Sequence, residues 1–251
     1  MDGKTIPTST TTILDRDRQN GNRVTIPSRL FSTRCNPHRE SIVSHLERYQ
    51  RFREQGRELH SKIFDVYLDR DIIDETSQLL DLDRDGDALL YDTEEEQSVH
   101  MDFILHEYHQ NGTTFVERYR DEEGGDSELE RELLDAMVRA ETSLFRVTEI
   151  DSSASQVVLE DVLGDETGIE LTDRNFSRTA PPDILLFLRL VRLEDITMTS
   201  GLSFAFRPST EEHLVSVYDQ VLERTNRPES MSRFIIFHKL NRKYGLDVHQ
   251  V

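Results

Sequence analysis

Tryptophan is absent from this chain and lysine nearly so, with only Lys4, Lys62, Lys239 and Lys243 among 30 basic residues. There is one cysteine, Cys35, so no disulfide can form within the chain and no zinc site can be built on paired thiolates. Glycine is sparse and scattered, and its one doublet, Gly124-Gly125, sits among acids that would repel a phosphate. No glycine-rich phosphate loop and no Gly-x-Ser-x-Gly elbow occurs. The longest apolar run, ILLFL at 184–188, stops at Arg189, far short of the roughly 20 residues that span a bilayer. Residues 1–30 lack the apolar core of a signal peptide, so a cytoplasmic location is expected.

Negative charge is abundant. The 251 residues carry a formal net charge of −19, with 35% apolar and 31% charged residues. That balance argues against generic binding to nucleic acid or to an anionic membrane. The charge is uneven: residues 1–62 hold 12 basic and 7 acidic side chains, and 224–251 hold 6 basic and 2 acidic. Basic ends therefore flank a strongly acidic centre. They either fold back on the middle or serve as arms for a partner, nucleic acid being the less favoured one. Many carboxylates, few lysines and no tryptophan match the composition of proteins from salt-loving archaea, in which excess surface charge is screened within about 3 Å at 1 M salt.

Periodicity places an α+β fold. Residues 1–36 have no period and read as a disordered or loosely attached arm, in which VTIP (24–27) could dock as a strand. A helical region follows over 37–142. Asn36 and Pro37 start a helix over about 38–68, with Ile42, Leu46, Tyr49, Phe52, Leu59, Ile63 and Val66 on one stripe and a possible bend at Gly56. Further helices are expected over 71–80, 94–110 and 128–141, the second stopped by Asn111-Gly112; TTFVERYRD (113–121) fits either helix or strand.

From Ser143 the period changes to about two, and SLFRVTEID, SQVVLEDVL, GIELTD, DILLFLRLVRLED and ITMTSGLSFAF read as five antiparallel strands. Over 143–208 they suggest a small β-barrel-like unit of the SH3-like or OB-like kind. Residues 209–251 return to helix: a Ser209/Glu212 capping box opens one, and a last helix over 229–244 ends at Gly245. Residues 37–251 are expected to form one compact unit.

Chemistry is thin. DLDRDGDALLYD (81–92) has the spacing of a calcium loop, with Asp81, Asp83 and Asp85 at positions 1, 3 and 5, Gly86 at the turn and Asp92 at position 12. No second loop accompanies it and position 8 is the small Ala88, so an acidic turn is the plainer reading; calcium stays the one cofactor candidate. Asp102, His106 and His109 share one side of the 94–110 helix and could offer ligands to zinc or iron, although HEYH is not the metalloprotease motif. Cys35, beside Arg34 and near His38, is a weak nucleophile candidate. Arg174, Arg178, Arg189, Arg192 and Arg207, with Phe176, Phe187, Phe204 and Phe206, would be needed for a nucleic-acid face on the strands, but the phenylalanines alternate as core.

MDFILHEYHQNGTTFVERY (101–119), AETSLFRVTEID (140–151) and VVLEDVLGDETG (157–168) resemble a group of uncharacterised prokaryotic proteins frequent in haloarchaea. The resemblance covers about 90–210 and implies that helices and strands form one unit; it brings no activity or catalytic residue. No convergent catalytic set stands out. The expectation is a non-enzymatic interaction protein with a protein partner. A calcium- or metal-dependent protein and a nucleic-acid-associated protein are the alternatives.

Overall fold

The change of period at residue 143 is also the change of layer. The computed structural model describes residues 37–86 and 88–246. The expected arm over 1–36, including Cys35, VTIP and the Asn36 cap, lies outside the described residues, as do Asp87 and 247–251.

α1 (Pro37–Tyr67) runs unbroken through Gly56. Tyr49, Phe52, Leu59 and Ile63 are buried as expected, but Tyr67 completes the stripe and Val66 is 53% exposed. α2 (Arg70–Leu79) is capped by Asp69, whose carboxylate accepts from the Ile72 N–H. β1 (Arg84–Asp85) and β2 (Ala88–Leu89) form a two-stranded hairpin. α3 (Glu94–His106) starts at the Thr93 cap with three glutamates in its first turn, where the dipole favours them. It stops four residues before the expected end, and Asn111 (φ 60°) and Gly112 (φ 90°) form a separate left-handed turn. The ambiguous stretch becomes α4 (Phe115–Glu122), started by a Thr114/Glu117 capping box. α5 (Glu128–Val138) is shorter than expected because Glu141 already belongs to a strand.

The five expected strands are present: β3 (Glu141–Asp151), β4 (Gln156–Asp161), β5 (Ile169–Thr172), β6 (Leu185–Arg192) and β7 (Thr197–Phe206). They form one antiparallel sheet of order β5-β4-β3-β6-β7, with a short α6 (Phe176–Thr179) before β6. The expected barrel is not formed. Register shifts in β3 at Val147/Glu149 and in β6 against β7 at Leu188/Leu190 bend the strands. β5 and β7 come within 8 Å between Cα atoms, yet no ladder joins them. The outer edge of β7 instead takes a single bridge from Leu246 to Ala205.

β6 explains why its run is nearly all apolar: both of its faces are covered. Leu186, Leu188 and Leu190 join Phe145, Val147, Val157, Leu159, Ile169 and Leu171 in one core. Leu185, Phe187 and Val191 face the helices in a larger core. There α8 (Glu229–Tyr244) stacks Phe237 on Phe187 with ring centroids 4.4 Å apart, and Phe103 of α3 meets Phe234 at 5.1 Å. α7 (Glu211–Leu222) packs Leu214 and Tyr218 inward. The expected Ser209/Glu212 capping box is absent. Pro208–Thr210 instead form a 3₁₀ turn, and Thr210 makes no side-chain cap. Gly245 closes α8 in an extended conformation (φ −63°), its N–H on the Asn241 carbonyl.

Buried neutral histidines sit in this helical layer, His100 and His238 among them. The Thr76 hydroxyl donates to the Ile72 carbonyl, so it can only accept from His100 Nε2–H at 2.7 Å. His100 Nδ1 is then left to accept from the Tyr91 hydroxyl at 2.8 Å. Burial lowers the pKa of His100 to about 4, and burial together with Arg242 and Lys239 lowers that of His238 to about 4. Unfolding returns each to an ordinary value near 6.5. The unfolded chain therefore binds more protons between pH 6.5 and 4, so each histidine's contribution is complete above 6.5 and lost as pH falls through that window. The loss is on the order of 3 kcal/mol for each. Urea unfolding of wild type followed from pH 7 to pH 4 should show this slope, to which His60 and His106 add in the same sense, and His238→Leu should reduce it without abolishing it.

Candidate functional site

A charge in the most apolar strand must find partners, because an isolated buried ion is too costly to keep. Arg189 of β6 is 1% exposed and faces the helices. Its Nε donates to Asp102 Oδ1 at 3.0 Å, and one terminal nitrogen donates to Glu107 Oε1 at 2.7 Å. α3 supplies both carboxylates, Asp102 from its body and Glu107 from its C-terminal cap. Asp102 Oδ2 accepts from the Ser200 hydroxyl of β7 at 2.6 Å. Burial opposes the ionisation of Asp102, but Arg189, His106 and Ser200 hold its carboxyl below the usual range. Burial likewise works against the charged form of Arg189, and the two carboxylates more than offset it.

The cluster is not fully satisfied. Glu107 Oε2, His106 Nε2 and Thr142 Oγ1 are buried without a hydrogen-bond partner. All three residues line one cleft of about 360 Å³ between the α3–α4 turn, the α5–β3 junction and the start of α8. Thr142 stands opposite Arg189 in the β3–β6 register, which places both side chains on the helix-facing side. Arg233 of α8 crosses the cleft wall and donates to the Thr142 carbonyl at 2.5 Å and to Glu229 at 2.7 Å. His109 donates from Nδ1 to the Glu107 carbonyl at 2.8 Å. Burial, then the positive charge of Arg189, drives the pKa of His106 well below its ordinary value. His106 also lines a second cavity of about 100 Å³ with His60, whose ring centroid lies 6.5 Å away.

Of the residues singled out from sequence, Asp102, His106, His109 and Arg189 meet at this cluster, while the aspartates of 81–92 lie elsewhere. Asp81 adopts a left-handed backbone (φ 54°) and pairs with Lys239 at 2.7 Å, a hydrogen bond that lowers its carboxyl pKa. Asp83 faces Arg242 at 3.7 Å, and Asp85 lies in β1 opposite Ala88. The Asp92 backbone N–H donates to Glu96, and Asp92 borders a separate cavity of about 530 Å³. Asp102, His106 and His109 do not share a helix face, because α3 ends at His106. Among the described residues, no three His, Cys, Asp or Glu side chains are grouped to hold a metal ion. Of the strand arginines, Arg189 is buried and Arg192 pairs with Glu166 at 2.6 Å, while Phe187, Phe204 and Phe206 are core.

Sequence reading missed Arg189 as the centre of this site. The signal was there: a single cation inside ILLFLRLV announces a buried ion pair. Its partners, 82 and 87 residues away, carry no local mark. Thr142 gave no signal at all. Replacing Arg189 by Leu leaves two buried carboxylates facing each other and should cost about 3–5 kcal/mol. Adding Asp102→Asn and Glu107→Gln to that variant should recover most of the loss. Urea unfolding of the single and triple variants at pH 7 checks both.

No curated protein and no solved structure matches the chain. No helix among the described residues is long and apolar enough to cross a membrane. The chain matches a family over residues 43–250, a span that takes in every residue of the Arg189 cluster and its cleft, and so belongs to the family of unknown function DUF7986.

Proposed function

We propose that this is a non-enzymatic binding protein that takes a small polar ligand into the cleft over Arg189. The observation that carries the reading is the concentration of unsatisfied groups. Of the four buried side-chain polar atoms without a partner among the described residues, three belong to residues lining this one cleft. Each such atom costs roughly 1–3 kcal/mol when left unmade, so a ligand that meets them gains what the free protein forgoes. A volume of about 360 Å³ suits a small molecule.

The chemistry of the lining favours holding over turnover. General acid–base catalysis works best with a pKa near the working pH. His106 lies well below it because of burial. The Thr142 hydroxyl has no hydrogen-bonded base to activate it as a nucleophile. Both Arg189 and Arg233 are committed to protein acceptors.

Ser230 is exposed and sits at the cleft mouth in the first turn of α8. Ser230→Trp should close the cleft without disturbing the core. In a thermal-shift screen of small polar compounds, at least one should raise the Tm of wild type and leave Ser230→Trp unmoved. Mass spectrometry after overnight incubation should recover that compound unchanged. Equal shifts in both proteins, or conversion of the compound, would overturn the reading.

A further inference from the structure

We infer that the ligand of this cleft is an organic cation, carrying a primary ammonium or guanidinium group that donates to Glu107, His106 and Thr142. The inference rests on the binding role proposed above and adds the chemical class. It follows from an inventory of what the lining can still accept or donate. Glu107 Oε2 is a carboxylate oxygen and can only accept. The neutral His106 ring shares a hydrogen bond with the Met137 backbone that favours its protonated form, so that nitrogen is the donor. The unpartnered Nε2 then carries the lone pair. His109 donates through Nδ1 to the Glu107 carbonyl, which leaves its Nε2 as an acceptor too. The Thr142 hydroxyl, without a partner, is free to accept and to donate.

The two arginines of the lining, by contrast, are already paired with protein acceptors. Arg189 is held by Asp102 and Glu107. Arg233 is held by the Thr142 carbonyl, Glu229 and the Tyr218 hydroxyl, its Nε 3.3 Å from that oxygen. Glu117, Glu141 and Glu229 also line the cleft, so carboxylates outnumber the two arginines there. An anionic ligand would meet a surplus of negative charge, with both arginines already engaged by protein acceptors. A neutral polyol would satisfy hydrogen bonds but leave the charge imbalance. A metal ion would need three grouped ligands, and the described residues do not provide them. A group that donates and carries positive charge fits the open acceptors and the charge of the lining.

A chain with a net charge of −19 attracts cations everywhere, so the test is run in 1 M NaCl, where exposed charges are screened within about 3 Å. Ethanolamine, putrescine and agmatine would be titrated calorimetrically, beside ethylene glycol and erythritol as neutral probes and glycolate and succinate as acids. At least one amine should bind wild type, with Kd at least tenfold weaker for Glu107→Gln and several-fold weaker for Thr142→Val. Thr142→Val removes an unpartnered hydroxyl at nearly constant shape, so its Tm without ligand should equal or exceed that of wild type. That keeps the test valid should Glu107→Gln lose stability. Amines binding wild type and both variants alike would overturn the inference as general surface attraction. Neutral or acidic probes binding while amines do not would overturn the cation but leave the binding role standing. No binding by any probe class would overturn both.

Discussion

The rest of the molecule is arranged around one buried guanidinium. Arg189 sits in a strand covered on both faces, so it cannot reach water. The chain meets that demand by bringing α3 against the sheet with Asp102 and Glu107 in register, and by turning the Ser200 hydroxyl of β7 onto Asp102. Such a cluster is weak as a source of stability, because the desolvation of three ions roughly offsets their attraction. Its effect is on geometry. α3, β6 and β7 can dock in only one register if the charges are to meet, and the aromatic stack of Phe187, Phe204, Phe234 and Phe237 then packs beside it.

The same constraint creates the cleft. α3 ends at His106, and the cap residue Glu107 offers only one of its two oxygens to Arg189. The backbone turns away through Asn111 and Gly112 before α4 begins, which opens space above Glu107 and Thr142. The unsatisfied oxygen, the lone pair of His106 and the Thr142 hydroxyl thus follow from where a helix stops. Most other buried polar groups are complete, His238 Nδ1 excepted among the described residues: Glu130 accepts from Lys62 at 2.8 Å, and His100 uses both ring nitrogens. Incompleteness at the cleft stands out against that background.

Much of the fold was legible in the residues because it is written in nearest neighbours. Alternation gave five strands within a few residues of their observed limits, and three- and four-residue steps gave α1, α2, α5 and α8. The misreadings have local causes too. The 94–110 stretch kept its apolar steps past the true end of α3, and Ser209/Glu212 had capping spacing in a segment that forms a 3₁₀ turn. The barrel failed for a non-local reason: β5 has only four residues and pairs only with β4, while the far edge of β7 is met by Leu246. The spacing at 81–92 left a calcium loop open beside the plainer acidic turn, and α8 brings Lys239 and Arg242 to Asp81 and Asp83.

By itself the sequence determined most element types, their order and the antiparallel pairing of the five strands, and it set one cation inside the most apolar strand. Each of these is set by periodicity and composition over a few residues. Only the tertiary structure decided which carboxylates answer Arg189, that the curved sheet stays open, and which polar atoms are left without partners. Those outcomes depend on contacts between residues distant in the chain, 82 and 87 positions for the carboxylates of Arg189, where docking geometry and burial, rather than local pattern, choose who meets whom.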